Sequence, residues 1–202
     1  MSRYAEIAFT ESVRRVQKEQ GSARATARML DDVPERDQLG PREVEFITSS
    51  DGFYLASASD SGWPYIQYRG GPPGFVRAQD GGTLSFADVR GNRQYISVGN
   101  LMRNDRVSLF FMDYASRSRL KLFGRATVGD PIEADGDGPR TEGVVERVIT
   151  VQVEGFNWNC HQHITPRFTE AEISQYLSAT HVRLAELEEE NRRLRSQLAR
   201  ES

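Results

Sequence analysis

Between residues 53 and 153 the chain reads as six or seven short β-rich runs parted by turn residues, with one helical stretch among them. Nothing else constrains the fold as strongly. Short strands with few helices between them pair mostly antiparallel, and their apolar faces must close on one another as a barrel or sandwich. The runs lie at 53–58, 63–69, 75–76, 83–87, 106–112, 120–128 and 144–153. Asp60-Ser61-Gly62 and Gly70-Gly71-Pro72-Pro73-Gly74 supply the turn chemistry that separates the first three. The spacing predicts a helix over 92–101, weakened by Gly99, and an exposed loop over 129–143 with five acidic residues, four Gly and two Pro.

Helical patterns flank this zone. Val13 and Val16 mark a weak helical face over 12–20, and 22–30 suits a second short helix. Pro41 opens a third, ended by Asp51-Gly52. The tail is a helix from about Glu170 onward, with Thr169 and Glu172 as a capping box. Leu177, Leu184, Asn191 and Leu198 repeat every seven residues, with Leu187 and Leu194 between them, a short heptad register of coiled-coil type. Asn at an a position favours a parallel pair, and Glu190 and Arg183 could meet Arg195 and Glu188 of a mate. The plainer alternative is a solvated helix lying on its own barrel. The expected organisation is an N-terminal helical segment (1–40), a barrel domain (41–168) and the C-terminal helix (169–202).

Composition excludes more than it assigns. A net charge of −3 gives no bulk electrostatic case for nucleic acid or an anionic membrane. The single cysteine excludes an internal disulfide and a Cys-based zinc site. No apolar run reaches membrane-spanning length and the first twenty residues hold no signal-peptide core, so the expected compartment is the cytoplasm. The cations are almost all Arg, 24 against Lys18 and Lys121, which supplies planar forks suited to phosphate.

Chemistry concentrates in two places. In Asp88-Val89-Arg90-Gly91-Asn92-Arg93-Gln94-Tyr95, two Arg flank a Gly where the helix should begin, and Arg69 ends a preceding strand. A helix start and Arg forks both suit a phosphate, although surface Arg paired with nearby Asp is a strong rival for any one of them. There is no Gly-x-Gly-x-x-Gly fingerprint or Walker loop, and the prolines of 70–74 remove the N–H donors a phosphate loop needs.

The second place is Phe156-Asn157-Trp158-Asn159-Cys160-His161-Gln162-His163-Ile164-Thr165-Pro166-Arg167-Phe168, aromatic and hydrogen-bonding at once. That mixture suits either a bound ring system or a strand running into a capped turn. His161 and His163 lack nearby carboxylates, so no metal is expected. Cys160 has no partner at a recognisable spacing, and no Gly-x-Ser-x-Gly elbow occurs.

Taken together, Trp63-Pro64-Tyr65-Ile66-Gln67-Tyr68-Arg69-Gly70-Gly71-Pro72-Pro73-Gly74-Phe75, Phe86-Ala87-Asp88-Val89-Arg90-Gly91-Asn92-Arg93-Gln94-Tyr95-Ile96-Ser97, Arg119-Leu120-Lys121-Leu122-Phe123-Gly124-Arg125 and the 156–168 segment resemble the pyridoxamine 5′-phosphate oxidase-like family. The resemblance implies a mainly β fold with flanking helices, a six- to seven-stranded antiparallel split β-barrel of FMN-binding type. It also implies a homodimer whose two FMN sites are each lined by both subunits. By position, Gln67, Tyr68 and Arg69 match a strand closing near the flavin phosphate, and Ala87 and Asp88 a strand end facing ring or phosphate. Arg93 and Gln94 match a phosphate-binding Arg-Lys pair in which Gln94 keeps hydrogen bonding but not charge; Arg90 and Asn92 share that turn. Arg119 matches a Gln at the ring, and Trp158 and Arg167 match an aromatic and a basic residue reaching it from the C-terminal segment.

The Arg-x-His signature with which the vitamin-processing oxidases hold pyridoxal phosphate is absent; the chain reads Ile164-Thr165-Pro166-Arg167 there. The expectation is therefore an FMN-dependent oxidoreductase of unknown substrate rather than a pyridoxamine phosphate oxidase. The rival is a non-catalytic flavin, deazaflavin or haem-binding or sensing protein that signals through its tail. His163 is the candidate acid or base, set against a structural hydrogen bond to the turn at Thr165.

Overall fold

The computed structural model describes residues 2–131, 143–158 and 162–201. The sequence readings on Asn159, Cys160, His161 and most of the 129–143 loop lie outside the described residues. The chain divides into two compact units, Met1–Asp113 with Arg117–Gln162, and Tyr114–Ser116 with His163–Ser202.

The first unit is built on one seven-stranded sheet in the order β2-β1-β5-β6-β7-β4-β3, with every neighbouring pair antiparallel. The strands are β1 (Gly52–Ala58), β2 (Pro64–Gly70), β3 (Val76–Gln79), β4 (Thr83–Val89), β5 (Arg106–Asp113), β6 (Ser118–Gly129) and β7 (Val145–Trp158). This is the split-barrel fold with flanking helices that the strand pattern and the resemblance predicted. Alternation decides which face is buried: Phe53 and Leu55 of β1, Leu84 and Phe86 of β4, Leu109 and Phe111 of β5, and Leu120 and Leu122 of β6 all point inward. Phe53 is the hub, stacked on Phe111 at 4.8 Å and Phe75 at 5.9 Å and edge-on to Phe86 at 5.1 Å between ring centres.

Two boundaries differ from expectation. β7 does not stop at Val153 but runs through Phe156 and Asn157 to Trp158, paired with Leu122, Lys121 and Leu120 of β6. Cross-strand pairing and burial of Phe156 and Trp158 outweigh the low strand preference of Asn157. The helix expected over 92–101 is the short α5 (Ile96–Leu101) instead. Arg93 (φ 63°) and Tyr95 (φ 53°) adopt the left-handed conformation, which no helix can include, so the chain turns helical four residues late.

Four further helices precede or cover the sheet: α1 (Arg3–Ala8), α2 (Glu11–Glu19), α3 (Ala23–Ala27) continuing as a 3₁₀ turn (Arg28–Leu30), and α4 (Pro41–Ser49). α1 was not legible in the sequence. It lies so close to β7 that a Cβ on Gly155 would stand 2.3 Å from the Tyr4 nitrogen. Asp37 ties the two together, its carboxylate accepting from the backbone N–H groups of Arg3 (2.9 Å), Tyr4 (3.2 Å) and Phe156 (3.1 Å) and from the Ser2 hydroxyl (3.3 Å). The first two are first-turn donors with no partner inside α1. Asp37→Ala is expected to cost about 2–3 kcal/mol, the upper range for hydrogen bonds to a charged group. Urea denaturation measures it, and a loss under half a kilocalorie would show that water replaces the carboxylate.

The second unit holds α6 (Glu170–Glu201), 32 residues long. Its start is the capping box read from sequence: the Thr169 hydroxyl accepts from Glu172 N–H at 3.2 Å, and the Glu172 carboxylate accepts from Thr169 N–H at 2.7 Å. Among the described residues no helix is long and apolar enough to cross a membrane.

Candidate functional site

β2 places Tyr65, Gln67 and Arg69 on one face because strand side chains alternate, and its Ile66 and Tyr68 on the other. β4 ends beside them. Asp88 continues the inward face of Leu84 and Phe86, so its carboxylate is buried and requires partners. Arg69 donates to it at 2.7 Å and Arg147 of β7 at 3.3 Å. A register shift at Asp88/Val89 then releases the chain into the 90–95 turn.

These elements enclose a cavity of about 200 Å³. Six predicted site residues line it: Gln67, Arg69, Asp88, Asn92, Arg93 and Gln94. Tyr65, Tyr95, Ser97 and Glu146 line it as well and were missed; for Tyr95 and Glu146 the link is a contact 51 residues apart, which local pattern does not report. The helix-start argument for this turn does not hold: the Gln94 N–H donates to Asn92 Oδ1 at 3.1 Å, and α5 begins only at Ile96. Side chains, not a helix terminus, make the site cationic.

Arg90 lies outside the lining and donates to Glu146 at 2.7 Å. Glu146 also accepts from Tyr95 Oη at 3.4 Å and Arg147 at 3.3 Å, and Arg147 sits 5.0 Å from the Tyr95 ring centre. The hydrogen bond from Arg90, then those from Tyr95 and Arg147, hold the Glu146 carboxyl below its ordinary value of 4.5, against an opposing cost of desolvation. A carboxyl whose folded pKa is depressed stabilises the fold above its unfolded pKa, and the contribution is lost as pH falls through the folded value. The rim is therefore expected to stay ordered down to about pH 4.5 and to loosen only below it. Carboxyl NMR titration of Glu146 checks this; a midpoint above 4.5 would contradict the pairing.

Among the described residues two donors lining the cavity are buried without a hydrogen-bond partner, Arg69 Nε and Ser97 Oγ. Both could bond an acceptor held in the cavity. A larger cavity of about 530 Å³ lies beside α1 and β1, lined by Ile7, Ala56, Ala58 and Phe123. Its Arg125 pairs with Asp105 and Glu154 and its Arg3 with Glu154 at 3.7 Å, although Arg3 Nε, like Arg69 Nε, is buried without a hydrogen bond among the described residues. The smaller cavity is set apart by its lining, which brings Arg69, Asn92, Arg93 and Gln94 together with two such buried donors.

The other predicted residues lie elsewhere. Tyr68 is 55% exposed on the far face of β2, edge-on to Tyr54 at 5.5 Å. Ala87 points away from Asp88, as alternation requires. Arg119 is on β6, its Nε buried without a hydrogen bond among the described residues. Burial first, then the Arg119 charge, holds the Lys121 ammonium below its ordinary pKa. Trp158 packs on α4: its indole N–H donates to Glu43 at 2.6 Å, Arg42 covers the ring at 4.2 Å and Phe46 meets it edge-on at 4.8 Å. The other oxygen of Glu43 accepts from Gly40 N–H at 3.0 Å and so caps the same helix. In the second unit Arg167 lies 4.9 Å from the Tyr114 ring, and His163 has left-handed backbone (φ 62°).

The comparisons with known proteins bear on the same segments. A family model described as pyridoxamine 5′-phosphate oxidase matches residues 39–146, which is over half of the chain and spans β1 to β6 and the whole cavity turn. No curated protein matches. Among solved structures, a putative pyridoxamine 5′-phosphate oxidase from Lactobacillus delbrueckii is 19% identical, covering 59% of this chain and 93% of its own, with a TM-score of 0.47. HupZ from Group A Streptococcus is 16% identical over 64% of this chain and all of its own, at 0.46. HutZ from Vibrio cholerae, a heme storage protein, is 18% identical over 60% of this chain and 94% of its own, at 0.40. On the match of the family model across the strands and the cavity turn, the chain belongs to the pyridoxamine 5′-phosphate oxidase family.

Proposed function

We propose that this protein binds flavin mononucleotide, with the phosphate in the cavity between β2, β4 and the 90–95 turn, and acts as a flavin-dependent oxidoreductase. The observation that carries the reading is the pair of buried donors without acceptors, Arg69 Nε and Ser97 Oγ, in a cavity rimmed by Arg93 and Asn92. Four guanidinium groups (Arg69, Arg90, Arg93, Arg147) stand around two carboxylates (Asp88, Glu146). The surplus of two positive charges suits a phosphate monoester, which carries about −1.5 to −2 near neutral pH. The residues fit the group: Arg93 and Asn92 would hold the phosphate, Gln94 would add hydrogen bonds, and Asp88 would keep Arg69 oriented.

The cavity is smaller than the usual 300–1,000 Å³ of a pocket that encloses a whole ligand. The ring system would therefore extend beyond it and be covered by a second subunit. Ile66 and Tyr68, both more than half exposed on the opposite face of β2, suit that interface. Arg119, Trp158 and Arg167 would belong to the ring end of a site, contributed in part across the dimer. Bound flavin supplies the hydride or electron chemistry, and the chain supplies binding, orientation and electrostatics. Without the Arg-x-His signature, the substrate is not pyridoxamine phosphate in this reading.

Purification under native conditions, with the retained small molecule identified by absorbance and mass, tests the proposal. Flavin bands bleached by NADH or NADPH are the expected result. A Soret band would overturn the cofactor, and flavin inert to every donor would favour a binding or sensing protein.

A further inference from the structure

We infer that α6 pairs in parallel and in register with α6 of a second copy of this chain. The helix is 32 residues long, about 48 Å at 1.5 Å per residue. Leu177, Leu184, Leu187 and Leu194 fall on one seam at a and d positions and are 42–53% exposed. The intrahelical ion pairs are Arg183 with Glu186 and Arg192 with Glu189, and Glu186, Glu189 and Arg192 occupy c, f and b positions off that seam. The apolar stripe is therefore free of the helix's own charge pairing, while the outer faces are solvated by it.

Charge and polarity choose the occupant and its direction. In a parallel pair each g position faces the e position five residues on in its mate. Arg183 then meets Glu188, exchanging its 2.9 Å pairing with Glu186, and Glu190 meets Arg195, opposite charges in both cases and doubled by the two-fold axis. An antiparallel pair cannot satisfy both. Matching Arg183 with Glu190 centres the alignment between residues 186 and 187, whereas matching Glu188 with Arg195 centres it between 191 and 192. Asn191 adds the same preference, because only the parallel register sets it against its own copy, amide to amide, where the two antiparallel alignments set it against Thr180 or Leu194 at d. The pairing involves α6 alone and is independent of the flavin reading.

The test uses the full chain with Cys160→Ser, so that an introduced thiol is the only one. Leu187→Cys and Leu194→Cys place thiols at d, and Ser196→Cys places one on the outer f face. A disulfide needs Cβ atoms roughly 3.5–4.5 Å apart, which the parallel seam allows and the outer face does not. Mild oxidation should give cross-linked dimer at least about tenfold faster for both d-position variants than for Ser196→Cys, with helix content by circular dichroism unchanged. Equal rates at all three positions, or no cross-linking at either d position, would overturn the pairing. Two variants are used so that local damage at one leucine does not decide the outcome.

Discussion

Phe53→Ala is expected to destabilise the barrel by about 3–5 kcal/mol, the range for deleting a fully buried aromatic side chain. Phe53 is 1% exposed, and its ring touches Phe75, Phe86 and Phe111, one of them on the neighbouring strand β5 and one across the core on β4. Phe111 and Phe86 are themselves held by strand pairing, Phe53 opposite Phe111 and Val76 opposite Phe86, which limits their collapse into the space. The lost transfer energy and the cavity therefore add. Denaturant titration measures the effect, and a change below about 1 kcal/mol would mean that the four rings do not form one packed cluster. Phe53→Leu, which keeps most of the volume, should recover more than half of the loss.

Arg93→Ala is expected to weaken flavin mononucleotide binding by about 1.5–3 kcal/mol, the range for a hydrogen bond to a charged group, or roughly 10- to 150-fold in dissociation constant. The fold should be unchanged, because Arg93 is exposed and holds no ion pair among those described. Arg69 is a poorer probe of the same site. Removing it strips the buried Asp88 of its 2.7 Å partner and leaves Arg147 alone to neutralise it, so folding and binding would fall together. Fluorescence titration with flavin mononucleotide against riboflavin separates the phosphate from the ring. The Arg93 variant should lose its preference for the phosphorylated form, and equal losses for both ligands would place the phosphate elsewhere.

Strand count and polarity were legible because each β-rich run alternates on its own and is bounded by Gly, Pro or Asp. Thr169 and Glu172 likewise act within four residues of one another, so the capping box was visible without any tertiary knowledge. Boundaries were harder. The polar residues after Val153 suggested that β7 was ending, yet β6 pairs with it as far as Trp158. Arg93 and Tyr95 carry no sequence mark of left-handed backbone, and that conformation moved the start of α5.

For the site, the sequence alone determined which residue types were present: Arg69, Asp88, Asn92, Arg93 and Gln94, spaced along strand ends where side chains alternate. It could not say how their charges combine, since Coulomb pairing depends on distance in space and not along the chain. Asp88 and Arg147 are 59 residues apart, Arg90 and Glu146 are 56, and Asp37 and Phe156 are 119. Tertiary structure decided those pairings. It made Arg69 part of a buried ion pair and set the Trp158 indole on α4. It also set Arg69 of β2 and Ser97 of α5 against one cavity, with Arg69 Nε and Ser97 Oγ buried and without a hydrogen bond among the described residues, because packing across the fold and not the neighbouring sequence decides which acceptors lie within reach.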